Sequence, residues 1–179
     1  MSQSTLAFVF PGQGSQKIGM LAEAYQRYGV VQDTFSEASD VLGYDMWNLI
    51  QNGEQDALNL TETTQPVLLT SSVALWRAWL DCDGSPATVM AGHSLGEFSA
   101  LVCAGALAFA DAVQLVRQRG SFMQAAVPVG VGAMAAVIGL DDGTINRICQ
   151  EVTDQSAGMV AAVNFNSPGQ VVIAGHVGA

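Results

Sequence analysis

The stretch Gly92-His93-Ser94-Leu95-Gly96 constrains the fold more than any other part of the chain. Ahead of it, Ala87-Thr88-Val89-Met90-Ala91 is a short apolar run of the length and type of a buried parallel strand. Behind it, Leu95 to Ala104 is rich in Leu, Ala and Glu and stops at Gly105, the pattern of a helix with a glycine C-terminal stop. A serine on a strand-to-helix turn, with glycine two residues away on each side, has a mechanical reading. Such a turn brings backbone segments so close that side chains at 92 and 96 would collide. The hydroxyl is then exposed at a helix N-terminus, where free amides and the helix dipole favour developing negative charge. The bare pattern also occurs in ordinary loops. The strand before it, the helix after it and Glu97 in the first turn make Ser94 a candidate nucleophile.

A second strand is predicted at Leu6-Ala7-Phe8-Val9-Phe10, a continuous apolar run ended by Pro11-Gly12 and read as a central parallel strand. The loop behind it, Gly12-Gln13-Gly14-Ser15-Gln16-Lys17-Ile18-Gly19, is reminiscent of a dinucleotide-binding turn. The third glycine of that fingerprint falls at Lys17, however, where a long side chain defeats close helix–strand packing. A better use for a glycine-rich loop after a neighbouring strand is to aim a backbone N–H at the nucleophile's substrate, with Gln13 at its centre. From Met20 to Leu42 the apolar residues recur at helical spacing, with Gly29 separating two helices. Tyr44 to Leu60 is polar and reads as short surface helices. Thr61 to Pro66 has the composition of a helix start, with Pro66 suited to a first turn, and the buried helix is expected over Val67 to Leu80. Trp76 and Trp79 are expected in the core.

A helix from about Phe109 to Met123 follows. Ala112, Leu115, Val116, Phe122 and Met123 form its apolar stripe, and Arg119 falls within that stripe, while Gln114, Arg117, Gln118 and Ser121 lie opposite. A buried guanidinium must find an anion or several acceptors, since an unpaired buried charge costs several kcal/mol. Two readings follow: an internal salt bridge, or a bidentate seat for a substrate carboxylate.

Composition shifts near Gly130. Ala133 to Leu140 reads as a strand, Asp141-Asp142 as the cap of a helix running to about Val152, and Val160–Asn164 with Gln170–Ala174 as a hairpin joined by Asn166-Ser167-Pro168-Gly169. This order is half of a split β-α-β unit. Two domains are expected, 1–130 and 131–179. The composition narrows the partners. A net charge of −10 argues against nucleic acid and against an anionic membrane surface. The run Ala125 to Leu140 is too short and too broken by glycine to span a membrane, and no signal peptide follows Met1. The 3 cysteines are not paired by spacing, which suggests reduced thiols and a cytoplasmic location. With only 2 histidines and no metal-ligand spacing, no metal site is expected.

A serine nucleophile also needs a general base. His93 lies beside Ser94 in the tight turn and should point away from the hydroxyl, and His176 sits at the end of the last hairpin with the character of a surface residue. The base is therefore expected outside this chain.

Taken together, Phe8-Val9-Phe10-Pro11-Gly12-Gln13-Gly14-Ser15-Gln16, Thr64-Gln65-Pro66, Gly92-His93-Ser94-Leu95-Gly96-Glu97-Phe98-Ser99-Ala100, Arg119-Gly120 and Asn164-Phe165-Asn166-Ser167-Pro168-Gly169-Gln170 resemble the malonyl-CoA:acyl-carrier-protein transacylases of bacterial type II fatty-acid synthesis. The acyltransferase domains of polyketide and fatty-acid megasynthases share several of these motifs. The resemblance implies an α/β fold, with an α/β-hydrolase-like parallel-sheet core over 1–130 and a smaller ferredoxin-like subdomain over 131–179, both incomplete in this chain. It implies that Ser94 is the acylated nucleophile, that the N–H groups of Leu95 and Gln13 form the oxyanion hole, and that Arg119 binds the malonyl carboxylate. Gln65, Asn164 and Asn166 would line or buttress the pocket. The substrates would be malonyl-CoA and acyl carrier protein, with no further cofactor. Family members run to roughly twice this length, so the chain is expected to stop short of the family's catalytic histidine and of strands that close the core. The alternatives are a polyketide-type acyltransferase domain, a serine esterase or thioesterase with the same elbow, and an inactive truncated fragment.

Overall fold

The structure, a computed structural model, describes residues 5–128 and 130–179. The chain divides into two compact units, Met1–Gln124 and Ala125–Ala179. Parallel strands occur in the first and antiparallel strands in the second, so the chain is of mixed α/β class.

In the first unit, β1 (Ala7–Phe10) leads through the glycine loop to α1 (Ala22–Arg27), α2 (Gly29–Leu42), α3 (Met46–Asn52), α4 (Gln55–Asn59) and α5 (Thr61–Asp81). Then come β2 (Val89–Gly92), α6 (Leu95–Cys103) and α7 (Phe109–Ala126). Gly29 is the first residue of α2 rather than the separator; the break falls at Tyr28, whose backbone is extended. Val31, Thr34, Phe35, Ala38 and Leu42 then line one buried face at helical spacing. The polar 44–60 stretch does form short helices. Asp45 caps α3 by accepting from the Asn48 N–H at 2.8 Å.

α5 is longer than expected. It begins at Thr61, so Pro66 sits inside the helix instead of opening it. Pro66 has no N–H for the carbonyl of Glu62, a defect that costs about 3 kcal/mol in an exposed helix interior. Burial of Thr64 through Ser71 along the same turns offsets it. Trp76 is core, packed edge-on to Phe8 at 4.8 Å. Trp79 is more exposed than expected, and its indole N–H closes the following turn on the Ser85 carbonyl at 2.9 Å.

β1 and β2 pair in parallel, Ala7 opposite Val89 and Phe10 opposite Gly92. They are not buried on both faces as their apolar sequences suggest. α6 packs against both strands, but Val9 is 79% exposed and Val89 55%. The expectation came from the usual sandwiching of parallel strands between helix layers; among the described residues, helices cover them on one side.

The second unit holds β3 (Gly132–Ile138), α8 (Asp142–Gln155), β4 (Val160–Ser167) and β5 (Gln170–His176). The strand order is β3-β5-β4 with both pairings antiparallel, so β3 and β4 are parallel to each other with β5 between them: a split β-α-β unit. β4 and β5 are longer than expected, and the turn tightens to Pro168-Gly169, with Gly169 at φ +77°. Bulges at Val163 and Asn166 interrupt the β4–β5 register. Asp141 caps α8, accepting from both the N–H and the hydroxyl of Thr144, and these hydrogen bonds hold its carboxyl below the usual carboxylate range. α8 covers one sheet face through Ile145 and Cys149 against Val171. Met134, Ile138 and Phe165 stay exposed.

Apolar side chains on open strands favour association. The 179-residue polypeptide alone should bind an apolar dye in its native state and sediment faster as concentration rises; a dye-negative, concentration-independent monomer would contradict this reading of its surface.

Candidate active site

The site grows from the ends of the two parallel strands. Because Phe10 is opposite Gly92, the loop after β1 and the turn after β2 leave the sheet side by side. The His93 N–H donates to the Phe10 carbonyl at 3.1 Å and locks that exit. Ser94 then takes φ 53°, ψ −109°, a conformation rare for a side-chain-bearing residue and tolerated only where the surroundings impose it. The next residue, Leu95, starts α6, so its N–H has no intrahelical acceptor.

The two glycines are required for different contacts. A Cβ on Gly92 would overlap the backbone of Gly96 and Glu97, as the collision argument anticipates. A Cβ on Gly96 would overlap the carbonyl of Phe10 and come within 2.9 Å of the Pro11 oxygen, so the second glycine lets the helix touch β1. Gly12 belongs to the same packing: a Cβ there would lie 2.9 Å from His93 Nδ1. The imidazole of His93 therefore packs against the glycine loop at Gly12. His176 lies in the second unit, where its Nδ1 accepts the Met159 N–H at 2.9 Å.

Arg119 is half-buried on α7 and reaches the elbow. Its Nη1 donates to Gln65 Oε1 at 2.7 Å and its Nη2 to Ser94 Oγ at 3.2 Å, while Cζ lies 5.6 Å from the Phe98 ring centre. Among the described residues the ion pairs are Arg77–Glu37 and Arg147–Glu151, and no carboxylate pairs with Arg119. The internal salt bridge is thus not formed, and the guanidinium rests on neutral oxygens. The apolar stripe differs from the expected one. Phe109, Ala112, Val113, Val116 and Gly120 are the buried positions of α7, whereas Leu115, Phe122 and Met123 are exposed.

Gln65 is fully buried and divides its amide between two partners, with Oε1 toward Arg119 and Nε2 donating to Met123 Sδ at 3.2 Å. Gly120 allows this arrangement, since a Cβ there would fall 2.6 Å from the Thr61 oxygen and hold α7 away from α5. Gln13 follows Gly12 in the loop beside the elbow, and its side chain donates to Thr61 Oγ1 at 3.3 Å. The structure therefore brings Ser94, Leu95, Arg119 and Gln65 together, with the Gln13 loop alongside. Asn164 and Asn166 are exposed on β4 of the second unit, separated by the residue before the Asn166 bulge.

Three contributors escape sequence reasoning. Phe98 is one helical turn past Ser94, which hints at its role under Arg119. Met123 and Gly120 carry no such signal, because their partners come from α5. Of the free cysteines, Cys103 is the half-buried one, and burial pushes its thiol up to about 12, leaving it protonated and a poor nucleophile. Among the described residues no group of three His, Cys, Asp or Glu stands close enough to hold a metal ion. Among the described residues no helix is long and apolar enough to cross a membrane.

Residues 7–179 match the family model for the acyl transferase domain. The chain belongs to that family. A relative within this acyl transferase family, malonyl CoA-acyl carrier protein transacylase of Salmonella typhimurium, is 61% identical over 170 residues, which is 95% of this chain and 54% of that protein. The Bacillus subtilis protein of the same name is 46% identical over 96% of this chain and 54% of its own length. Among solved structures, FabD from Acinetobacter baumannii gives a TM-score of 0.92 at 57% identity, covering 97% of this chain and 55% of that one. A malonyl-transacylase in complex with a type II PKS acyl-carrier protein also gives 0.92, at 56% identity over 98% of this chain and 56% of its own. The acyl transferase chain described here spans about half the length of the curated relatives it matches.

Replacing Gly96 by Ala should force α6 off β1. Overpacking of this kind costs about 1–3 kcal/mol or more, so the urea midpoint should fall clearly. A midpoint equal to the parent's would show that the helix does not depend on this contact.

Proposed function

We propose that this chain carries the nucleophilic half of a malonyl-CoA:acyl-carrier-protein transacylase, a cytoplasmic enzyme of fatty-acid synthesis that needs no cofactor beyond its acyl-CoA substrate. The observation that carries the reading is an arginine without a carboxylate partner, held 3.2 Å from the oxygen of an elbow serine. In a malonyl ester of Ser94 the carboxylate carbon lies three bonds of about 1.5 Å each from Oγ, which suits a guanidinium already at that oxygen. A plain esterase has no use for such a cation. The relatives' names point the same way, and the complex with an acyl-carrier protein supports that protein as the second substrate. The same reading makes the first unit part of an α/β-hydrolase-like core and the second part of a ferredoxin-like subdomain. On the same reading Gln65 buttresses Arg119.

In the first half-reaction, Ser94 Oγ attacks the thioester carbonyl of malonyl-CoA as a base takes its proton. A C–O bond forms, the C–S bond breaks, and the CoA sulfur leaves with the proton. The N–H groups of Leu95 and Gln13 hold the oxyanion in between, a contribution worth several kcal/mol. In the second half-reaction the phosphopantetheine thiol of acyl carrier protein attacks the acyl-serine; the C–S bond forms, the C–O bond breaks, and the proton returns to Oγ. Neither His93 nor His176 is assigned as the base, which the family resemblance puts later in the sequence than residue 179.

Full-length protein incubated with radiolabelled malonyl-CoA should carry label on Ser94, and Ser94→Ala should carry none; label on the Ala variant would sink the nucleophile assignment.

Arg119→Ala should weaken malonyl transfer by about 2–5 kcal/mol, read from kcat/KM, the range for breaking a buried charge pair. Acetyl transfer should be spared, because the cavity then loses an unpaired cation. Arg117→Ala is the internal control, since that side chain turns to the Leu42 carbonyl at 3.4 Å. Equal losses for malonyl and acetyl groups would make Arg119 a structural residue and remove the account of selectivity.

A further inference from the structure

The glycine loop has no strand or helix of its own to satisfy its backbone; the Gly19 N–H donates to the Ile50 carbonyl at 2.9 Å, and two further N–H groups are met by side-chain amides. The Gly14 N–H donates to Gln16 Oε1 at 2.8 Å, and the Ile18 N–H to Gln55 Oε1 at 3.2 Å. Each glutamine then turns its Nε2 to one atom: Gln16 donates to Asn59 Oδ1 at 2.9 Å and Gln55 donates to the same oxygen at 3.0 Å. Two relays thus start at loop N–H groups, pass through an amide each and converge on both lone pairs of Asn59 Oδ1. The polarity is consistent throughout. A backbone donor at one end obliges each glutamine to present its oxygen there and its nitrogen to Asn59.

α4 explains the convergence. Gln55 and Asn59 are its first and last residues, four apart and therefore on one face. A helix this short is not stable by propensity. It is held by Leu58, which is fully buried and whose carbonyl accepts from Thr64 Oγ1. Gln13 joins the same framework through Thr61 at the start of α5. Gln55 and Asn59 are exposed and Gln16 only half-covered, so these bonds add little to global stability. Their effect is local.

We propose that Gln16, Gln55 and Asn59 are positioning residues, which hold the 12–19 loop so that the Gln13 N–H stays aimed at the acyl oxygen on Ser94. This rests on the reading of Ser94 and Gln13 given above. Losing an oxyanion donor costs about 100- to 1,000-fold in rate, and displacing one by a fraction of an ångström costs less.

The test is single-turnover acylation of the full-length protein by malonyl-CoA, with thermal unfolding measured on the same samples. Asn59→Leu should lower the maximal acylation rate on the order of tenfold, with the half-saturating malonyl-CoA concentration unchanged and Tm within about 2 °C of the parent, as for a surface substitution. Asn59→Asp keeps the double acceptor and should restore at least half of the parental rate. Gln16→Met should match Asn59→Leu. Asn52→Leu, which removes a surface amide bonded to Asn48 on α3, should leave the rate unchanged. A parental rate in Asn59→Leu, equal losses in Asn59→Leu and Asn59→Asp, or a rate loss that tracks a large drop in Tm would each overturn the positioning role alone. No acylation of the parent, or acylation surviving Ser94→Ala, would overturn the functional reading and this proposal with it.

Discussion

The contact of Gly96 with the backbone of Phe10 and Pro11 is the constraint on which the rest of the first unit depends. Nothing larger than hydrogen fits between them. The first turn of α6 is therefore pressed onto the end of β1 while its own strand, β2, pairs alongside. That three-way approach forces the chain between β2 and α6 through an angle that only a strained residue can take, and Ser94 takes it. Strain of about 1–3 kcal/mol at such a position persists only when surrounding contacts outweigh it. Here they do so through packing: Leu95 is buried behind the elbow and Ser99 and Ala100 one turn further on. The serine is left exposed in front of the buried Leu95 and Gly96.

The same economy of space governs Arg119. Gly120 lets α7 come against the first turn of α5, and this approach brings the guanidinium to Gln65 rather than to solvent. Gln65 can serve because it is wholly buried and its nitrogen has a partner of its own in Met123. A sulfur is a weak acceptor, so the amide satisfies its donor there and leaves its stronger acceptor to the cation. A buried carboxylate in place of Gln65 would neutralise the arginine permanently.

These facts explain what was legible in the sequence and what was not. The glycine–serine–glycine elbow, the split β-α-β order and the anomalous arginine were readable because each rests on local spacing: a turn too tight for side chains, an alternation of strand and helix, a cation in an apolar stripe. The stripe itself was misjudged at Leu115, Phe122 and Met123, since periodicity marks an apolar face without showing what covers it. The start of α5 was misplaced for a related reason. Proline is read locally as a first-turn residue, whereas burial on several sides holds Pro66 in a second turn. Least legible was the amide framework of Gln16, Gln55 and Asn59. Its members are common polar residues, 39 or more positions apart between loop and α4 except for the pair on α4 itself, and no local pattern marks them.

The electrostatics of the elbow follow from its being poorly neutralised. A protein with a net charge of −10 leaves Arg119 without a carboxylate and lets it rest on two neutral oxygens, one of them the serine hydroxyl. A cation donating to that oxygen favours its negative form and so assists proton loss. The contacts to Gln65 and Ser94 use two of the five N–H donors of the guanidinium. On the malonyl reading proposed above, binding an acidic acyl group would exchange neutral acceptors for an anionic one, roughly doubling the strength of each hydrogen bond. A neutral acyl group of the same length makes no such exchange and leaves the cation as it was. On that reading, discrimination would come from the poverty of the resting contacts as much as from the quality of the new ones.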